Sequence, residues 1–207
     1  MEENMAYSAV YTMFSTLMQP PERSTYNEII AGRPVELWDA VPVHNGRKPC
    51  VPESWLPENF PSFEEWRAIY NQAMPPARPL LVPVESVHKV WTTDPSCEMP
   101  FARETGLLQG DPAHHLFQLY KDIGFELPLR YADSPDHLVL ELEFMGVLVE
   151  EAEPSVQYTF LTQHLDWLPT VIAEAERKPV PELYLELLRW VEAFLVLERA
   201  RLSSATG

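Results

Sequence analysis

The stretch GLLQGDPAHHLFQLYKDIGFELPLRYADSPDHLVLELEFM, residues 106–145, reads as two helices joined by a short bend. Asp111 stands where it would cap the first helix, and Pro112 suits a first turn, where a missing N–H costs nothing. Gly124 follows as a natural stop, since glycine readily takes the left-handed conformation that ends helices. Ser134-Pro135 predicts a second start, with Asp136 and His137 in its first turn. Leu138, Leu142, Met145 and Val149, flanked by Phe144 and Leu148, give this second helix an apolar stripe at helical spacing.

The same punctuation recurs on either side. Residues 3–18 predict a helix with Ala6, Val10, Met13, Phe14 and Leu17 on one face and Pro20-Pro21 as its stop. A shorter helix is expected from Ser24 to Ala31, closed by Gly32, and residues 33–61 read as Pro-rich and irregular. Ser62-Phe63-Glu64-Glu65 is a capping box, opening a helix that carries Phe63, Trp66, Ile69, Tyr70 and Ala73 as far as Pro75-Pro76. Downstream, Pro154 or Ser155 starts a helix running to Trp167. Pro169 opens a short one to Lys178, and a long helix extends from Pro181 to near Leu202. No period-two run of β-branched residues and no internal repeat interrupts this pattern. The expectation is an all-α protein, a single globular domain of roughly eight to eleven helices.

Residues 75–110 break the pattern. Pro75, Pro76, Pro79, Pro83, Pro95 and Pro100 exclude a long helix there, although Val84 to Val90 has room for one helical turn. Such a segment reads as an extended strap and divides the domain, residues 1–207, into an N-terminal half (1–74), the strap (75–110) and a C-terminal half (111–207).

Composition limits the function. A chain of 207 residues supports one good core, and 46% hydrophobic content argues against wholesale disorder. A net charge of −16 argues against nucleic acid, which needs clustered Lys and Arg, and suits a basic partner peptide as well as simple solubility. Two cysteines, Cys50 and Cys97, are too few for a disulfide scaffold or a four-thiolate metal site. The acidic opening MEENMAYSAVYTMF is unlike a signal peptide, and no run approaches the ~20 apolar residues of a membrane span, so a cytoplasmic location without membrane insertion is expected.

His114, His115, His137 and His164, with Asp111, Asp136 and Asp166, suggest a metal cluster at first sight. Adjacent helical histidines, however, point about 100° apart, poor geometry for one ion. The only E-x-x-H, Glu85-Ser86-Val87-His88, stands alone where a di-iron bundle needs two. No G-x-S-x-G, catalytic Cys motif or glycine-rich phosphate loop is present, and the chain has only 7 glycines. The expectation is no metal, no cofactor and no catalytic residue.

GLLQGDPAHHLFQLYKDIGFELP, followed by SPDHLVLELEFM and by HLDWLP at 164–169, resembles the TorD/DmsD family of redox-enzyme maturation chaperones, over roughly Val82 to Leu195. The resemblance implies an all-helical cytoplasmic chaperone, not an enzyme, that binds the twin-arginine leader and the apoprotein of a molybdenum oxidoreductase. It also implies hinge segments associated with domain-swapped dimers, so both monomer and swapped dimer are open. The Asp136-His137 pair matches the family's leader-recognition pair, and a partly desolvated carboxylate suits a guanidinium. Trp91, in HKVWTTDP, matches an aromatic near the family's peptide groove. Tyr120, Gly124, Phe125 and Tyr131 are expected beside that groove, and Trp167 as core or groove wall. Two alternatives stand beside this reading: a metal-dependent, hydrolytic all-α enzyme using the His/Asp cluster, and a general helical adaptor.

Overall fold

The structure, a computed structural model, describes residues 2–43 and 48–206. They fold as α1 (Glu2–Leu17), α2 (Arg23–Ile30), α3 (Arg33–Ala40), α4 (Phe63–Ala73), α5 (Glu85–His88), α6 (Asp111–Ile123), α7 (Leu138–Glu151), α8 (Pro154–His164), α9 (Leu168–Ala175) and α10 (Glu182–Thr206). Two 3₁₀ turns, Glu53–Trp55 and Leu129–Tyr131, complete the described residues. Nine of the ten α-helices have eight residues or more, and the protein is all-α; the one extended pairing among the described residues is an isolated bridge between Val84 and His137.

The core is built around α7. Ten of its fourteen residues are buried, including Leu138, Leu142, Phe144, Met145 and Val149, so the expected stripe widens to nearly the whole circumference, as a central helix requires. α1 lies along it closely: a Cβ on Gly146 would sit 3.4 Å from the Ser8 carbonyl oxygen. α10 packs on α8 and α9 and meets α1 and α3 through Trp190, with Phe14, Trp38 and Trp190 in edge-to-face contacts of 5.0–6.3 Å.

Three local expectations are corrected. Residues 33–61 are not irregular throughout: Gly32, at φ 86°, opens α3, with Pro34 in its first turn, and α3 buries Trp38 (residues 44–47 of that stretch lie outside the described residues). Asp111 is the first residue of α6 and Gly110 is its cap. The Asp111 carboxylate instead accepts from the Thr92 hydroxyl at 2.8 Å and the Thr93 N–H at 2.9 Å, fastening the segment before the helix. The second helix starts at Leu138 and not at Ser134-Pro135. Residues 134–137 form a turn because their polar groups are engaged elsewhere: the Asp136 carbonyl accepts from Glu85 N–H, and Leu138 N–H donates to the Pro83 carbonyl. His137 is the cap, its Nδ1 accepting from Val139 N–H at 3.2 Å. The capping box holds as expected, with Ser62 and Glu65 satisfying each other's backbone N–H groups.

Candidate functional site

α5 is a single turn pinned between the segment before α6 and the start of α7. Its second residue, Ser86, donates its N–H to the Asp136 carboxylate at 2.7 Å, a side-chain cap supplied from a distant part of the chain. The turn thereby points Glu85 inward. Glu85 is wholly buried, and its Oε2 meets His164 Nδ1 at 2.9 Å. His164 Nε2 in turn meets Nδ1 of the exposed His115 at 2.8 Å. With neutral imidazoles and an ionised Glu85 carboxylate the arrangement has one consistent tautomer set: His115 donates to His164, and His164 donates to Glu85. Burial, then the neighbouring His164, pushes the His115 pKa down, keeping that ring neutral.

A second buried acid lies beside this relay. Glu141, fully buried in α7, accepts from the Trp167 indole N–H at 3.0 Å. Burial, then the charges of Glu85 and Asp136, raises the Glu141 pKa well above the carboxylate range. Burial also raises that of Asp136, opposed by its bond from Ser86. Trp167 stacks flat on His88, with centroids 5.3 Å apart.

The relay forms the waist of a groove between α6 and α8. On one side is an apolar basin of about 350 Å³, walled by Leu119 and Ile123 of α6, Phe144 and Leu148 of α7, and Val156 and Phe160 of α8. On the other is an acidic end of about 470 Å³, lined by Glu85, Lys89, Thr93 and Asp111. His115, Gln163 and His164 line both, so the two hollows adjoin on either side of these side chains. The adjacent His114 faces a separate hollow with Gln109, Phe117 and Pro135, the divergence expected of neighbouring helical residues. Among the described residues no group of three or more His, Cys, Asp or Glu side chains is arranged to hold a metal ion.

The residues singled out from the sequence fall into four places. Asp136, Tyr120 and Trp167 surround the buried acids; the Tyr120 hydroxyl lies near Glu141, Asp136 and Glu85 and has no hydrogen-bond partner. None of these three lines the groove. His137 packs on Tyr131 at 4.8 Å, and burial, then Arg130, pushes its pKa down to about 3. Gly124, at φ 78°, ends α6, and Phe125 packs back on Tyr120 at 4.8 Å. Trp91 is half-buried against Phe101 at 5.0 Å, and its carbonyl accepts from Asp111 N–H at 2.7 Å. The sequence reading missed Glu85, Glu141 and Lys89 as site residues. The available signals were an acid in the otherwise apolar run LVLELEFM and an E-x-x-H weighed only as a metal motif.

An all-helical chain with this groove has known relatives. The family profile described as nitrate reductase delta subunit matches residues 59–173, more than half of the chain, and the chain belongs to that family, which includes the TorD and DmsD proteins. The match begins at residue 59, upstream of the resemblance read from motifs. The chain is similar to a protein named Chaperone protein TorD from Vibrio parahaemolyticus, with 27% identity over 126 residues. The alignment spans 53% of this chain and 59% of that protein, so under two thirds of the relative is represented. No solved structure matches. No described helix is long and apolar enough to cross a membrane.

Proposed function

We propose that the chain is a redox-enzyme maturation chaperone and not an enzyme. It binds the twin-arginine leader and the immature catalytic subunit of a molybdopterin-containing oxidoreductase in the cytoplasm, and delays export until the cofactor is in place. The observation that carries this reading is the groove between α6 and α8, in which an apolar basin adjoins a hollow lined by Glu85 and Asp111. A leader has that sequence of chemistries, paired cations followed by an apolar run, and an apolar segment lying in a helical groove is a recurrent recognition mode. The charge of −16 favours encounter with the basic segment. Family membership and the chaperone name of the Vibrio relative support the same reading.

In this proposal Asp136 is a positioning residue, since its carboxylate is committed to Ser86 and acts on the ligand through Glu85. His137, Tyr131, Tyr120, Gly124, Phe125 and Trp167 shape the walls from behind, and Trp91 is the aromatic beside the acidic end. The strap, residues 75–110, is the hinge through which swapped dimers would form. The test is co-purification: the tagged chain should retain a molybdoenzyme catalytic subunit bearing its leader and lose it when the leader is deleted.

The Glu85–His164–His115 relay also allows a hydrolytic reading with His115 as general base. Ester hydrolysis by the purified chain that disappears in His115→Ala would favour it.

A further inference from the structure

We propose that the acidic end of the groove is a receptor for a guanidinium or alkylammonium group of the bound segment, and that the Lys89 ammonium is a tethered stand-in occupying it in the free chain. The inference rests on the reading above, that the ligand is a basic segment followed by an apolar one. Three oxygens converge on Lys89 Nζ: Glu85 Oε1 at 2.7 Å, Asp166 Oδ1 at 2.5 Å and the Gln163 carbonyl at 2.7 Å. They belong to α5, to the turn after α8 and to α8 itself, so the packing of α5 against α8 fixes the cage.

The cage is deep at one side and open at the other. The Glu85 side chain is 0% exposed, whereas those of Lys89 and Asp166 are 26% and 49% exposed. Glu85 Oε2 is taken by His164 and Oε1 faces the ammonium, so withdrawal of Lys89 leaves a buried carboxylate without that counter-charge. A pair serving stability alone needs no opening, yet this one lines a hollow that adjoins the apolar basin.

Lysine is suited to a removable plug. Its ammonium is a point charge on a flexible stem, while a guanidinium presents a planar fork of five donors that engages carboxylates in bidentate fashion. An arginine arriving from the groove can therefore engage Glu85 Oε1 and the half-exposed Asp166 carboxylate with separate arms of its fork, where Lys89 brings one point charge to both. While Lys89 is seated, the apparent affinity for such a segment is reduced by the fraction of chains whose cage is closed. On binding, Lys89 swings out to solvent.

The experiment titrates a peptide carrying two arginines before an apolar run, and its Gln-Gln counterpart, into wild type, Lys89→Ala and Lys89→Ala/Glu85→Gln. Lys89→Ala should bind the arginine peptide about tenfold more tightly than wild type, as expected if the cage is open in about a tenth of free chains. The Gln-Gln peptide should show no gain, and the gain should vanish in the double variant. Equal tightening for both peptides, or none while wild type binds, overturns the receptor and leaves the chaperone reading intact. Methylguanidinium forms the second arm: it should raise the Tm of Lys89→Ala saturably, that of wild type only at about tenfold higher concentration, and leave the double variant unchanged. That rise without peptide binding by any variant upholds the receptor and removes the leader-binding reading; no rise overturns the receptor. Should Lys89→Ala fail to fold, amine labelling of wild type decides. Labelling at Lys89 should accelerate with the arginine peptide or methylguanidinium, and no acceleration by either overturns the proposal.

Discussion

Glu141→Gln should make the protein more stable at neutral pH, although it alters a wholly buried residue of the central helix. The wild-type carboxyl has one satisfied oxygen, Oε2, which accepts from Trp167, and one buried oxygen, Oε1, without a partner. It lies within hydrogen-bonding reach of Glu85, a second acceptor. Two ionised acceptors repel, so the contact becomes favourable only when one carries a proton. The glutamine amide keeps an acceptor for the indole and supplies a permanent donor toward Glu85. Removing one unpartnered buried polar atom is worth about 1–3 kcal/mol. For a chain of this size that corresponds to a Tm rise of roughly 2–4 °C per kcal/mol. The pH dependence gives a sharper check. Because burial raises the folded-state pKa of Glu141, the wild-type penalty is absent below the unfolded pKa of a glutamate. It grows as pH rises from there through the folded value. The advantage of Glu141→Gln should therefore be gone near pH ~4 and grow as pH rises from there. Urea denaturation of both proteins from pH 4 to 8 measures it. A variant less stable than wild type at pH 7, or a difference that does not change with pH, would refute the reasoning.

Three further outcomes are expected. Gly110→Ala places a Cβ 2.5 Å from the Trp91 carbonyl oxygen, so the bond from Asp111 N–H must shift; a loss of about 1–3 kcal/mol should appear in denaturant titrations. Asp136→Ala strips the Ser86 N–H of its buried acceptor, and should cost about 1–3 kcal/mol and raise hydrogen exchange across α5 ahead of the other helices. Limited proteolysis should cut first in the exposed stretch Asp94–Pro100; protection there equal to that of α1 and α10 would contradict a hinge in the strap.

The helical architecture was legible because its signals are local. Ser62 with Glu65, Gly124 after DIG and the prolines that open α8 and α9 each state an end of a helix within four residues. The two starts that moved, at Asp111 and Ser134-Pro135, are those whose polar groups bond across the chain, Asp111 to Thr92 and Thr93 and Asp136 to Ser86. No local rule can show that a capping residue has a better distant partner. The groove itself was not legible: of the histidines weighed from the sequence, His115 and His164 line it, while Trp167 lies behind it against the buried acids. The pairing of Glu85 with Lys89 and His164 was not legible because it depends on one helical turn being held against α8, a tertiary fact. The relay has the same origin, since 49 residues separate His115 from His164.

The decisive measurement is a calorimetric titration of the client's twin-arginine leader into wild type and into Ile123→Glu/Val156→Glu. Both side chains line the apolar basin and are about half exposed, 54% and 49%, so the double substitution should leave the fold intact. If the apolar run of the leader lies in this basin, losing two apolar contacts should weaken binding by at least about tenfold. Unchanged affinity in the double variant would contradict the assignment of this groove as the leader site.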